Sequence, residues 1–245
     1  MKKSVQLYAI RDLAKDNFEE ALKVVSEIGY EGVEFAGFFN HPAFQVKEWL
    51  NKYNLSVSGA HVAPELIFDD TDATIAYHKT IGNTRIICPW YDVKTKADVV
   101  ALADKLKAVL PKFKENGMVL GYHNHAHEFQ KDGDEYLIDI LAKEMEGTDF
   151  MLEFDVYWVY RGGENPVTYL KKYADRIDVF HAKDGIGDQG TTLGEGSVDM
   201  KAVFRFAKEN NMDWAVVESE ANEHAKEQVA AIRKDFEMLE QFMQG

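Results

Sequence analysis

A chain of 245 residues with 46% apolar side chains is long enough to enclose one substantial core, and nothing in its composition marks disorder or a fibrous repeat. Its formal net charge of −14 repels nucleic-acid phosphates and anionic lipid, which argues against both as partners and leaves neutral small molecules. Cys88 is the only cysteine, so no disulfide framework or cysteine-rich metal motif is available, and a cytoplasmic location is expected.

The opening MKKSVQLYAIRDLAKD carries two lysines but no apolar stretch suited to a leader or membrane helix, and its alternation over 4–9 predicts a first strand. NFEEALKVVSEIG (17–29) then sets apolar residues at helical spacing and stops on Gly29. The unit recurs. VEFAG (33–37) precedes AFQVKEWLNKYN, LSVSGAHV (55–62) precedes DATIAYHKTIG, and TRIICPW (84–90) precedes ADVVALADKLKAVLPKFKENG. Without a linker, MVLGYHNH leads into YLIDILAKE, FMLEFDVYW into PVTYLKKYA, and IDVFHAKD into MKAVFRFAKENN. WAVVESE then leads into a last helix from about Glu223 to Phe242.

Eight alternating strands and helices predict parallel strands joined by right-handed crossovers, hence an α/β chain forming one (β/α)8 TIM barrel over residues 1–245. An open doubly wound sheet is the competing arrangement, although no G-x-G-x-x-G follows the first strand. The Gly-rich stretches 161–166 and 184–196 follow chemistry-bearing strands and are expected as rim loops, either covering a substrate or plainly solvated.

Strands of a parallel barrel deliver their carboxyl ends to one rim, and four of these end in groups that bind metals or move protons. In LEFDVYW, Glu153 and Asp155 share one face by the two-residue repeat, and two inward carboxylates call for a cation or hydrogen-bond donors. The structural alternative pairs Glu153 with an internal Lys or Arg and has Asp155 cap the next helix. In GYHNHAHEF, three histidines fall within five residues; His123 and His125 share a face, and Glu128 follows in the loop. His123 is the candidate ligand and His125 its competitor for that role. VFHAKD supplies His181 and Lys183 on one face, and a lysine beside a cation could polarise or deprotonate a substrate oxygen, or simply pair with a carboxylate. From VVESE, Glu218 is the metal candidate and Glu220 a rim group or helix cap.

Together these motifs resemble the xylose isomerase-like TIM barrels of the sugar phosphate isomerase/epimerase superfamily, over essentially the whole chain. That resemblance implies one divalent ion held at the ends of strands five to eight, here by His123, Asp155, His181 and Glu218. His123 stands where a Glu is usual, which breaks the symmetrical two-glutamate proton exchange of the ketose epimerases. Trp158 stands where a sugar-binding His is common; an indole can stack on a sugar but cannot accept a proton. The YH-x-H, HxKD and VVE-x-E pattern is similar to the inosose dehydratases and to relatives acting on 3-keto-sugars.

The implied chemistry is removal of a proton next to a carbonyl of an unphosphorylated keto-sugar, with an ion stabilising the enediolate. Isomerisation or epimerisation is the leading expectation, and dehydration or lyase chemistry on a keto-inositol or 3-keto-glycoside the alternative. Glu218, Lys183, His125 and His61 are the catalytic candidates, with Glu153, Trp158, Glu128 and Trp90 as substrate contacts. Mixed imidazole and carboxylate ligation suits Mn, Zn, Co or Fe, with Mg admissible. The expected partner is a small sugar, with no nucleic acid or membrane, and homo-oligomerisation fits such a family. A repair nuclease would need more ligands and a basic groove; a non-catalytic sugar-binding barrel would not need the full ligand set. His78 and His224 are expected to face solvent, His41 to belong to a helix start, and Trp90 and Tyr91 to line the site or pack at the rim. Glu34 and Gln6 would face substrate if the register turns them inward.

Overall fold

In a computed structural model, which describes residues 1–219 and 225–244, eight parallel strands close into a barrel. They are β1 (Lys2–Gln6), β2 (Gly32–Ala36), β3 (Ser56–His61), β4 (Arg85–Cys88), β5 (Val119–His123), β6 (Met151–Asp155), β7 (Val179–Ala182) and β8 (Trp214–Val217). Each pairs with its sequence neighbours, and β8 closes on β1 with Val216 opposite Ser4.

The two faces of each strand meet different surroundings. Outward residues such as Val33, Phe35, Leu120, Leu152, Phe154 and Phe180 join the main apolar core against the surrounding helices. Inward, a small apolar plug of Val179, Trp214 and Val216 fills part of the lumen, and Arg85 is paired with Asp178 and Asp213 beside it. Above the plug the lumen is polar. Ser4 and Ser58 hydrogen-bond through their hydroxyls at 2.7 Å, and Gln6 Nε2 donates to Glu34 Oε2 at 2.7 Å. The β2–β3 register jumps from Val33–Val57 to Glu34–Gly59, leaving Ser58 as an extra residue in a bulge. Gly59 leaves room for the Glu34 carboxylate as it is placed, because a Cβ at that position would lie 2.7 Å from Glu34 Oε1.

Several elements differ from the sequence expectation for local reasons. β1 ends at Gln6, whose side chain accepts from Tyr8 N–H, so Leu7–Ile10 forms a 3-10 turn continued by a helix over Arg11–Asp16. Valine and aromatics in VYW suggest strand, yet Asp155 accepts the N–H groups of Tyr157 and Trp158, and Val156–Arg161 is helical. The 184–196 loop contains a two-stranded ribbon, Asp184–Ile186 with Gln189–Thr191. Asp184 organises it by accepting N–H groups from Gly185, Gly194, Gly196 and Val198.

His78 is a correction: it is buried, its Nδ1 accepting from Asn83 Nδ2 at 3.0 Å, because the helix Thr71–Ile81 turns it toward Phe38 and the barrel. His41 precedes the helix Ala43–Lys52, as expected of a helix start. His224 and Glu220 lie outside the described residues, and the last helix is described over Ala225–Gln244. Among the described residues, no helix is long and apolar enough to cross a membrane.

Candidate active site

Strand ends bring His123, Asp155, His181 and Glu218 together: one ligand atom from each falls within 4.8 Å of the others, and all four residues are buried. Asp155 divides its oxygens between two tasks. Oδ1 caps the following helix through Tyr157 N (2.9 Å) and Trp158 N (3.0 Å), whereas Oδ2 is buried without a hydrogen-bond partner. An orphaned carboxylate oxygen beside two imidazoles and a second carboxylate fits a divalent cation of the zinc or manganese type. Both the capping alternative and the ligand reading of Asp155 are therefore compatible with one side chain.

Beneath this group sits a second tier that sequence reasoning did not assemble. Glu153 Oε2 lies 2.8 Å from His61 Nε2, 3.1 Å from His123 Nδ1 and 3.2 Å from His181 Nε2, so its neighbours are imidazoles and not the internal Lys or Arg of the structural alternative. Glu34 Oε2 lies 2.6 Å from His181 Nε2. Carboxylates behind ligand histidines fix ring orientation and tautomer, leaving the other nitrogen for a metal. On His181 that other nitrogen is Nδ1, 2.7 Å from Glu218 Oε2. Glu153, expected as a substrate contact, is turned into this tier and is not among the residues that line the cavity.

The electrostatics follow from this packing. Burial disfavours a charged His181, but the charges of Glu153 and Glu34, with hydrogen bonds from Glu153 and Glu218, outweigh it and raise its pKa well above the usual range. Burial likewise opposes ionised Glu218, yet Lys183 and His181 overcome it and hold the carboxyl well below its usual value. Asp155 is pushed up to about 7 by burial, against the pull of Lys183 and with a further push from Glu218. Such a carboxyl is costly to ionise until a cation arrives. His125 is lowered to about 4, chiefly by burial, and is a neutral imidazole at pH 7.

The remaining candidates take distinct places. Lys183 is buried, with Nζ 3.5 Å from Glu218 Oε1 and 4.6 Å from the centre of the Trp158 ring. Trp158, expected as a sugar platform, thus packs on Lys183 and on Arg161. Glu128 is a correction: it lies buried behind His125, with Oε1 accepting from Tyr122 OH (2.7 Å) and Oε2 from His125 N–H (2.8 Å). It braces the loop after β5 and does not line the cavity described below. His125 itself stands two residues beyond the end of β5, with Asn124 tying β5 to β6 by accepting Asp155 N–H at 3.1 Å. Tyr91 bonds Lys105 at 2.8 Å as rim packing, while Trp90 opens onto the cavity.

That cavity has a volume of about 680 Å³ and reaches His61, His123, His125 and Glu218 at its floor. A wider cleft of about 990 Å³, bordered by Arg161, Lys171 and Asp199 among others, contains none of these groups.

A closed parallel barrel carrying mixed His and carboxylate groups at its carboxyl rim defines a class, and the comparisons agree. Residues 22–242 match the xylose isomerase-like TIM barrel family, and the chain belongs to it. It is 26% identical to an inosose dehydratase of Clostridium beijerinckii over 253 aligned positions, covering 85% of this chain and 84% of that protein. A sugar phosphate isomerase/epimerase from Parabacteroides distasonis superposes with a TM-score of 0.86 at 23% identity, over 99% of this chain and all of the other (100%). An L-ribulose 3-epimerase gives 0.78 at 13% identity, over 99% of this chain and 94% of that one, a likeness of fold alone.

Proposed function

We propose that the protein is a metal-dependent enzyme that removes a proton next to the carbonyl of an unphosphorylated keto-sugar and then expels a β-oxygen, a carbon–oxygen lyase. The observation that carries the reading is the grouping of His123, Asp155, His181 and Glu218 around the orphaned Asp155 oxygen, at the floor of a cavity. A divalent ion held by these four would supply positive charge to the carbonyl and an adjacent hydroxyl as the C–H bond breaks.

The chain's own groups do the rest. Glu218, kept ionised by Lys183 and His181, takes the proton from carbon. The electron pair of that bond becomes a carbon–carbon double bond as the β carbon–oxygen bond breaks. Lys183, beside Glu218 and held over Trp158, keeps that carboxylate charged, and His61, which borders the cavity, gives the departing oxygen its proton, so water or an alcohol leaves. Elimination is preferred because, among the described residues, Glu218 is the one buried glutamate that reaches the cavity; Glu34 and Glu153 are committed to imidazoles. A symmetrical exchange between two glutamates therefore lacks its second member.

Isomerisation or epimerisation is the second reading, supported by His125, a neutral imidazole facing the same cavity and able to accept and return a proton. The deciding experiment is metal analysis of the purified protein, followed by incubation with keto-inositols, ketohexoses and 3-keto-glycosides in deuterated water. Deuterium exchange with appearance of an enone supports elimination, and exchange with a new epimer or isomer supports the second reading. Protein that binds no metal and exchanges no proton from any of these would sink both.

A further inference from the structure

Above its polar floor the cavity changes character. Phe38, Val62, Leu66, Tyr77 and Trp90 form one wall, and Tyr8, Leu66 and Trp90 remain 47, 48 and 49% exposed at the lip. Large apolar side chains left in contact with water beside a cavity mark a ligand surface. Three polar atoms of this wall are already engaged within the protein. Tyr77 OH donates to His41 O at 2.8 Å, Thr74 Oγ1 donates to Leu66 O at 2.8 Å, and His78 Nδ1 accepts from Asn83. Such a wall offers chiefly dispersion and apolar burial.

Size points the same way. At about 680 Å³ the cavity falls within the roughly 300–1,000 Å³ typical of sites for drug-sized ligands. Even at water's ~30 Å³ per heavy atom, the about twelve heavy atoms of a hexose ring would take only about half of it. Asp70, exposed on the rim, adds a negative charge that disfavours an anionic substituent.

We infer that this upper half is a subsite for a neutral aryl group, so that the substrate is a keto-sugar carrying an aromatic aglycone, with the sugar at the metal-binding floor and the aglycone against Leu66 and Trp90. The inference rests on the reaction proposed above and names the oxygen that leaves: the glycosidic one, departing with the aryl group as a phenol once protonated.

Binding is tested by titration calorimetry of the metal-loaded protein with 4-nitrophenyl and methyl β-D-glucopyranoside, which lack the carbonyl and are not turned over. The aryl glucoside should bind roughly ten- to hundredfold more tightly, the range expected from burying one phenyl-sized group. Trp90→Ala with Leu66→Ser should abolish that preference, the two glucosides then binding with similar affinity, and should leave the fold intact, since both side chains are half exposed and outside the core. Equal affinities for the two glucosides overturn the inference, as does an aryl preference that survives the double substitution. The corresponding 3-keto-glucosides in deuterated water separate the two readings. Exchange from the methyl compound without any aryl preference sinks the subsite alone, whereas aryl-selective binding without exchange from either supports the subsite and sinks the reaction.

Discussion

Glu34 on β2 and His181 on β7 meet across the barrel lumen, with Oε2 2.6 Å from Nε2. Because His181 Nδ1 faces Glu218 and the position proposed for the cation, Nε2–H is left to donate to Glu34, which would set the tautomer and the ring plane. Glu34→Gln should therefore weaken metal affinity about 10- to 100-fold, the usual effect of losing such a partner. Competition with a fluorescent chelator measures it. An unchanged affinity would show that His181 is oriented by Glu153 alone.

Asp155 permits a sharper separation of roles. Asparagine can still cap the helix Val156–Arg161 through its side-chain oxygen but brings no negative charge to the ligand set, so Asp155→Asn should bind metal poorly while its metal-free melting temperature stays near that of the parent. Asp155→Ala loses both functions and should cost a further ~1 kcal/mol of stability from the missing cap. Comparing metal content with chemical denaturation of the three metal-free proteins checks this; a fully metallated Asp155→Asn protein would remove Asp155 from the ligand set.

How far the site was legible in sequence follows from what spacing can encode. Strand alternation and the order of strand ends carried His123, Asp155, His181 and Glu218 to one rim, since a parallel barrel leaves no other place for them. The lower tier was not legible, because Glu34 and His181 are 147 residues apart and their contact depends on the β2–β3 bulge and on the space left at Gly59. Glu128 was misplaced for a local reason: a loop residue after a histidine cluster looks like a site residue, and only the position of Tyr122 OH shows that it turns back into the protein. His78 was misplaced because a polar residue in a helix gives no sign of its face until the neighbouring Phe38 and Asn83 are in position.

Burial lowers the pKa of His78 from its ordinary value of 6.5 to about 4. The folded state thus favours the neutral ring, and the unfolded chain binds more protons between those two values. Stability is fully present above about pH 6.5 and is lost as pH falls toward 4, by up to about 3 kcal/mol from this residue. His78→Gln should flatten the slope of unfolding free energy between pH 6.5 and 4.5 by close to one proton. Urea titrations at three or four pH values read the difference directly, and parallel slopes in the two proteins would contradict the assignment.

Trp158 was expected to touch the sugar, but its ring lies 4.6 Å from Lys183 Nζ, a cation–π contact worth about 0.5–2 kcal/mol depending on desolvation. Loss of that contact should act on the proton transfer and not on substrate affinity, because Lys183 is otherwise steadied by Glu218 at 3.5 Å. Trp158→Leu should lower kcat about tenfold with KM little changed, and Trp158→Phe, which keeps a π face, should restore most of it. Lys183→Met should lower kcat and leave metal content intact, since Lys183 is not among the four grouped residues. Steady-state kinetics across pH on the three variants distinguishes the cases: a rise in KM without a fall in kcat for Trp158→Leu would return the indole to the role of sugar platform.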